Sequence, residues 1–161
     1  NLLESLKFFQ GDEGIIRDVI RAQIDKKNIM SLLKGKDSNL DRELVKKHVI
    51  EGGHIPLNEL LEMFGSKNVE EFVNRIEEHL IMGDLLEPYR KTHSLIDFEV
   101  AMDQFINIKY VQKLKNIALS IGYVFHFIFQ AEYEWDNIKR IAYGKRYGLP
   151  VDRIKTMLVF E

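Results

Sequence analysis

Apolar residues recur three and four positions apart through long intervals, and prolines interrupt the chain only at positions 56, 88 and 150. That spacing predicts helix throughout and no strand. A first helix is under way at Leu2, Leu3 and Leu6 and breaks at Gln10-Gly11. Asp12 then suits the N-cap of a long helix to about Lys34, in which Ile16, Ile20, Ile24, Asn28 and Leu32 share one face and Gly35 marks the stop. A shorter helix from about Leu40 to Ile50 is closed by Gly52-Gly53, Pro56 opens the next as far as about Phe64, and another runs from Asn68 to Leu80. The stretch from Asp84 to His93, with Pro88 in it, is the best candidate boundary. Beyond it Phe98, Met102, Phe105 and Ile108 form one stripe, a turn follows near Ser120, and a second long helix runs to a stop at Gly144, expected to pack antiparallel on the helix that carries the stripe. Pro150 starts a short final helix carrying Ile154 and Leu158.

The chain also matches itself. Without a gap, Ala22, Asn28, Ile29, Gly35, Lys36, Leu40 and Lys46 fall on Ala131, Asn137, Ile138, Gly144, Lys145, Leu149 and Lys155, a shift of 109 residues, and Val45 and Val49 meet Ile154 and Leu158. A long helix, a glycine stop and a short amphipathic helix thus occur twice, as in a duplicated supersecondary unit. Chance likeness between two helices is the alternative, but glycine and asparagine are not default helix residues. Asn28 and Asn137 lie among apolar residues at four-residue spacing. An unpaired buried amide costs about 1–3 kcal/mol, so each is expected to bond backbone groups of an adjoining element and fix the helix register.

Composition narrows the rest. With 45% hydrophobic residues in 161, the chain can bury a core. Its 23 basic and 25 acidic residues give a net charge of −2, so no overall field attracts a polyanion, and nucleic acid is not an expected partner. No cysteine is present, which removes disulfides, thiolate nucleophiles and cysteine-based zinc sites and suits a reducing, cytoplasmic compartment. The opening Asn1-Leu2-Leu3 lacks the features of a signal peptide and the initiator methionine, so residue 1 is expected to lie inside a longer protein. The most apolar run, Ile117 to Phe129, falls short of the about 20 residues that cross a bilayer and is expected to be core.

Glu99 and Asp103, four apart on a helix, could share a metal or divide acid and base roles, yet no histidine accompanies them at ligand spacing. A structural pair that receives hydrogen bonds from a neighbouring helix is the stronger reading. Glu51-Gly52-Gly53-His54 lacks the lysine and preceding strand of a phosphate loop, so it reads as a helix stop. His126 is a satisfied core or interface histidine rather than a ligand, since one histidine defines no site. Lys139, Arg140, Lys145 and Arg146 gather near a helix C-terminus, where the dipole favours cations; the sharper reading, which adds Arg153 and Lys155, is a contact for acidic residues of a partner.

The run Glu132-x-Glu134-x-x-Asn137-Ile138, then Ile141-Ala142, Gly144-Lys145 and Gly148-Leu149-Pro150, resembles the C-terminal signature of the C subunit of archaeal and bacterial A/V-type ATPases, known as the d subunit in eukaryotic vacuolar ATPases. Glu99-x-x-x-Asp103 resembles the acidic pair of that family's preceding helix, and Asp25-x-x-Asn28-Ile29 with Glu51-Gly52-Gly53 the same elements one repeat earlier. The resemblance implies an all-α funnel of three similar repeats with pseudo-threefold symmetry, two of them here, at residues 1–87 and 88–161. It implies a non-catalytic subunit with no cofactor or metal, peripheral on the cytoplasmic side of the membrane, whose partners are the proteolipid ring and the central-shaft subunits. A helical adaptor of another assembly would share the periodicity and the repeat, and a carboxylate-dependent enzyme would need Glu99.

Overall fold

A computed structural model describes residues 13–115 and 121–160. The helix expected at Leu2, Leu3 and Leu6, the Asp12 cap and the turn near Ser120 lie outside them. Among the described residues every regular element is helical. In chain order they are α1 (Glu13–Asp37), α2 (Arg42–Lys46), α3 (Leu57–Met63), α4 (Val69–Leu80), a 3-10 turn (Gly83–Leu86), α5 (Glu87–Thr92), α6 (Leu95–Ile106), α7 (Ile121–Arg146) and α8 (Val151–Thr156). A π turn, Asn107–Val111, and one further helical turn, Gln112–Leu114, prolong α6.

Two compact units emerge among the described residues, one formed by Ile20–Asp84 and the other by residues 13–19 with those from Leu85 to Phe160.

Within Ile20–Asp84 the core holds Ile29, Met30, Leu32, Leu33, Val45, Leu60, Phe72 and Ile76. α4 is tightly specified: Asn68 accepts a hydrogen bond from Glu71 N at 2.8 Å as its N-cap, and its apolar positions Phe72, Val73, Ile76 and Leu80 keep helical spacing. It ends at Ile81, whose φ of 51° is left-handed, before Gly83.

Within the other unit α6 and α7 pack antiparallel. Asp103 meets Arg140, Asn107 meets Gln130 and Val111 meets His126, so the partner's number falls as that of α6 rises. Two expectations fail here. Ile108 leaves the stripe of Phe98, Met102 and Phe105 and is exposed, because the π turn shifts the register and hands the buried positions to Val111 and Leu114. The apolar run into α7 is not core on all sides either. Gly122 and His126 are buried, but Tyr123, Val124, Phe127 and Ile128 are exposed, because α7 meets α6 along one face only.

Candidate functional site

The chemistry of this chain is concentrated in polar groups that join one element to another. Asn28 Nδ2 donates to Ile50 O at 2.7 Å while its Oδ1 accepts from Ile50 N at 2.8 Å. Asn137 does the same with Val159, at 2.6 and 2.9 Å. Each side-chain amide is thereby paired with one backbone unit in both directions, a bond that ends if the helix slides by a residue. Ile50 and Val159 are themselves 109 positions apart.

The same shift relates the helix ends. At the end of α1, Leu40 N donates to Gly35 O and Asn39 N to Lys36 O; at the end of α7, Leu149 N donates to Gly144 O and Gly148 N to Lys145 O. Asn39 and Gly148 take left-handed φ values of 52° and 66°. Both are Schellman ends, and the residues that stop the helices are Asn39 and Gly148. Gly35 and Gly144, expected as the stops, lie one turn inside. A Cβ on Gly35 would fall 2.7 Å from Val45 Cγ2, and one on Gly144 2.5 Å from Ile154 Cγ1, so these glycines let the following short helix approach the long one.

Gly52 and Gly53 are corrected likewise. α2 ends at Lys46, well before them. Gly52 takes φ 104° in a turn that brings Gly53 so close to Asp25 that a Cβ would collide with Oδ1. The Asp25 carboxylate accepts from His54 N at 2.9 Å and Ile55 N at 3.2 Å, with His54 Nδ1 at 3.2 Å. Burial pushes its pKa above the ordinary aspartate value, against the lowering pull of those N–H groups and of His54. Glu134, at the corresponding place on α7, is exposed.

Asp103 is 1% exposed and is met by Arg140 Nη2 of α7 at 2.7 Å, while Glu99 is half-buried one turn earlier. Arg140 Nη2 therefore belongs to an internal ion pair. Breaking such a buried pair costs about 3–5 kcal/mol. Lys139 pairs with Asp136 at 2.5 Å on the surface, and Lys145 and Arg146 are exposed. Arg153 joins Asp97 at 2.6 Å, and Thr92 Oγ1 donates to the same carboxylate. His126 Nδ1 lies 3.3 Å from Val111 O.

Sequence reading missed Asp97 and Asn107. Asp97 is a lone acid between Ile96 and Phe98, a visible signal of a paired buried charge. Asn107 accepts from Gln112 Nε2 and Gln130 Nε2 and donates to Phe160 O, three partners brought together by the π turn, which nothing local announces. Lys36 stood out only as an identity in the repeat. Its Nζ donates to Phe64 O at 2.8 Å and Ser66 O at 2.6 Å, and burial lowers its pKa, partly opposed by Glu71. Among the described residues no cluster of three or more histidine, aspartate or glutamate side chains could hold a metal ion, and no helix is long and apolar enough to cross a membrane.

Known proteins resemble this chain along nearly all its length. It is 32% identical over 158 residues to the C subunit of the A-type ATP synthase of Thermoplasma volcanium, covering 98% of this chain and 44% of that protein. It is 29% identical over 161 residues to that of Thermoplasma acidophilum, with 100% and 45% covered, and 28% over 152 residues to that of Methanocaldococcus jannaschii, with 92% and 38% covered. The chain thus spans less than half the length of these relatives. No solved structure matches it significantly. The family model described as ATP synthase (C/AC39) subunit matches residues 1–157, and the chain belongs to that family.

Proposed function

We propose that this chain acts as a non-catalytic central-stalk subunit of an A/V-type rotary ATPase. It lies on the cytoplasmic side of the membrane proteolipid ring and seats the foot of the central shaft, so that torque passes between ring and catalytic head during ATP-coupled ion transport. Family membership supports a subunit of such an ATPase. The observation that carries the mechanical part is the matched pair of reciprocal amide bonds at Asn28 and Asn137, each tying a long helix to the irregular segment that ends its module. Side chains used in this way fix geometry. A coupling piece needs that, because torque is lost to any joint that deforms more easily than the steps it links, and close-packed, register-locked helices deform little.

In this reading the two stretches are copies of one module, two of the three in a pseudo-threefold funnel, and the exposed cations Lys139, Lys145 and Arg146 face acidic groups of the shaft. Purification of the native complex from membranes is the test. The chain should accompany the proteolipid ring and the shaft subunits, and salt or chaotrope should release it without detergent. Isolation free of ATPase subunits, or release by detergent alone, would overturn the assignment. Reversal of Lys145 and Arg146 to Glu should weaken capture of the shaft subunits at low salt, and unchanged capture would remove these cations from the interface.

A further inference from the structure

In the unit Ile20–Asp84, α1 grips the segment that follows α2 with two charges. Asp25 takes the N–H groups of His54 and Ile55, and Lys36, eleven residues further on, takes the carbonyls of Phe64 and Ser66 just after α3 while lying 5.0 Å from the Phe64 ring centroid. Between those charges Ile29, Leu32 and Leu33 are buried. The arrangement reads the polarity of a peptide segment: an acid where it begins with free N–H groups, roughly 16 Å of apolar helix face, then a cation where its helix ends in free carbonyls.

α7 carries the same order at the same register. Glu134 holds the place of Asp25 and Lys145 that of Lys36, with Ile138, Ile141 and Ala142 between them. Glu134, Ile138, Ala142 and Lys145 are exposed. A cavity of about 450 Å³ opens beside Glu134, lined by Phe127, Ala131, Val159 and Phe160 among others. Val159 and Phe160 hold the places of Ile50 and Glu51, the residues just ahead of the Gly52–Ile55 turn, so the cavity falls where that turn lies against Asp25.

We propose that the face of α7 from Glu134 to Lys145 is a docking seat for a segment of a partner protein built as Gly53–Ser66 is built. Two backbone N–H groups of its entry turn reach Glu134, a short helix lays its apolar side on Ile138 and Ala142, and the carbonyls at that helix's end meet Lys145. The inference rests on the reading of this chain as a subunit of a larger assembly and adds the chemistry of what it binds. An anionic membrane surface would be repelled by Glu134 at one end, and attraction of Lys145 to its own helix terminus leaves the acid and its cavity unexplained.

The seat can be tested without the assembly. Glu161 falls at the register of Gly52, so the sequence of residues 53–67 joined directly after Glu161 presents the segment at high effective concentration. In that extended chain the backbone amides of residues 138–145 should exchange at least about tenfold more slowly than in the unextended chain, the protection expected of about 1.4 kcal/mol of docking. Glu134→Gln and Lys145→Met should each remove most of the gain, Glu132→Gln should leave it, and an excess of free peptide of the same sequence should slow exchange at the same amides in the unextended chain. Unchanged exchange in the extended chain, or protection that survives both substitutions, would overturn the seat. Neither result would touch the subunit assignment, which stands or falls on the membrane purification.

Discussion

α1 and α7 carry the same fittings at a shift of 109 residues, a reciprocal amide, a Schellman end and a glycine beneath a branched residue, yet they live in different surroundings. Ile29 of α1 is 0% exposed and its counterpart Ile138 is 58% exposed; Val19 is 0% and Ile128 50%. Where α1 has Met30 and Leu33, α7 has Lys139 and Ala142, so its outer face is partly polar, but Phe127, Trp135 and Ile138 keep it from being an ordinary solvated face. This is the apolar surface that the proposed docking seat would cover. The bonds that tie each long helix to the segment after it are therefore alike in the two places, whereas the burial of its other face is not.

The largest effect that can break this comparison is at the matched isoleucines. Ile29→Ala should cost about 2–5 kcal/mol in urea unfolding, and Ile138→Ala about 0.5 kcal/mol or less. Equal costs would show that the outer face of α7 is buried in solution. The asparagines should behave alike despite these surroundings, because their bonds are the same: Asn28→Ala and Asn137→Ala should each cost about 1–3 kcal/mol by leaving backbone groups of Ile50 and Val159 unpaired. A much smaller loss at Asn137 would mean that water replaces its bonds.

At the helix ends Gly148→Ala should cost about 1–2 kcal/mol, as a Cβ there strains the left-handed conformation. Asn39→Gly should gain a few tenths of a kcal/mol at most, since glycine takes that conformation freely. A stabilising Gly148→Ala, or a strongly destabilising Asn39→Gly, would disprove the shared cap. The last contrast is one of slope. Asp25 has its pKa raised by burial, so its contribution to stability is full below the ordinary value of 3.8 and is lost as pH rises through the raised value. Asp25→Asn should lack that component, so the stability of the wild type relative to the variant should fall as pH rises across this window, and a rise instead would show that the N–H groups of His54 and Ile55 outweigh burial.

Much of this was legible in the residues. The helices α1, α3, α4 and α8 lie close to where spacing and proline put them, and the self-match at Asn28 and Asn137 led to two groups that do make equivalent bonds. Gly35 and Gly144 were legible as special but not in role, because a glycine needed for close approach and one needed for a left-handed turn look identical in a sequence. The Arg140–Asp103 and Arg153–Asp97 pairs were hidden by separations of 37 and 56 residues. No local pattern tells a surface cation from one drawn to a distant buried carboxylate.

The sequence by itself determined that the chain is helical, where most helices begin, which amides and glycines are repeated, and which family the residues resemble. These depend on contacts within a few turns and on side-chain chemistry, both fixed by neighbours along the chain. Only the tertiary structure decided that the π turn exposes Ile108, that Arg140 is occupied, and that Ile29 is buried where Ile138 is bare. Burial and charge pairing are properties of what lies across space, and identical residues at matched positions acquire different roles when the elements around them differ.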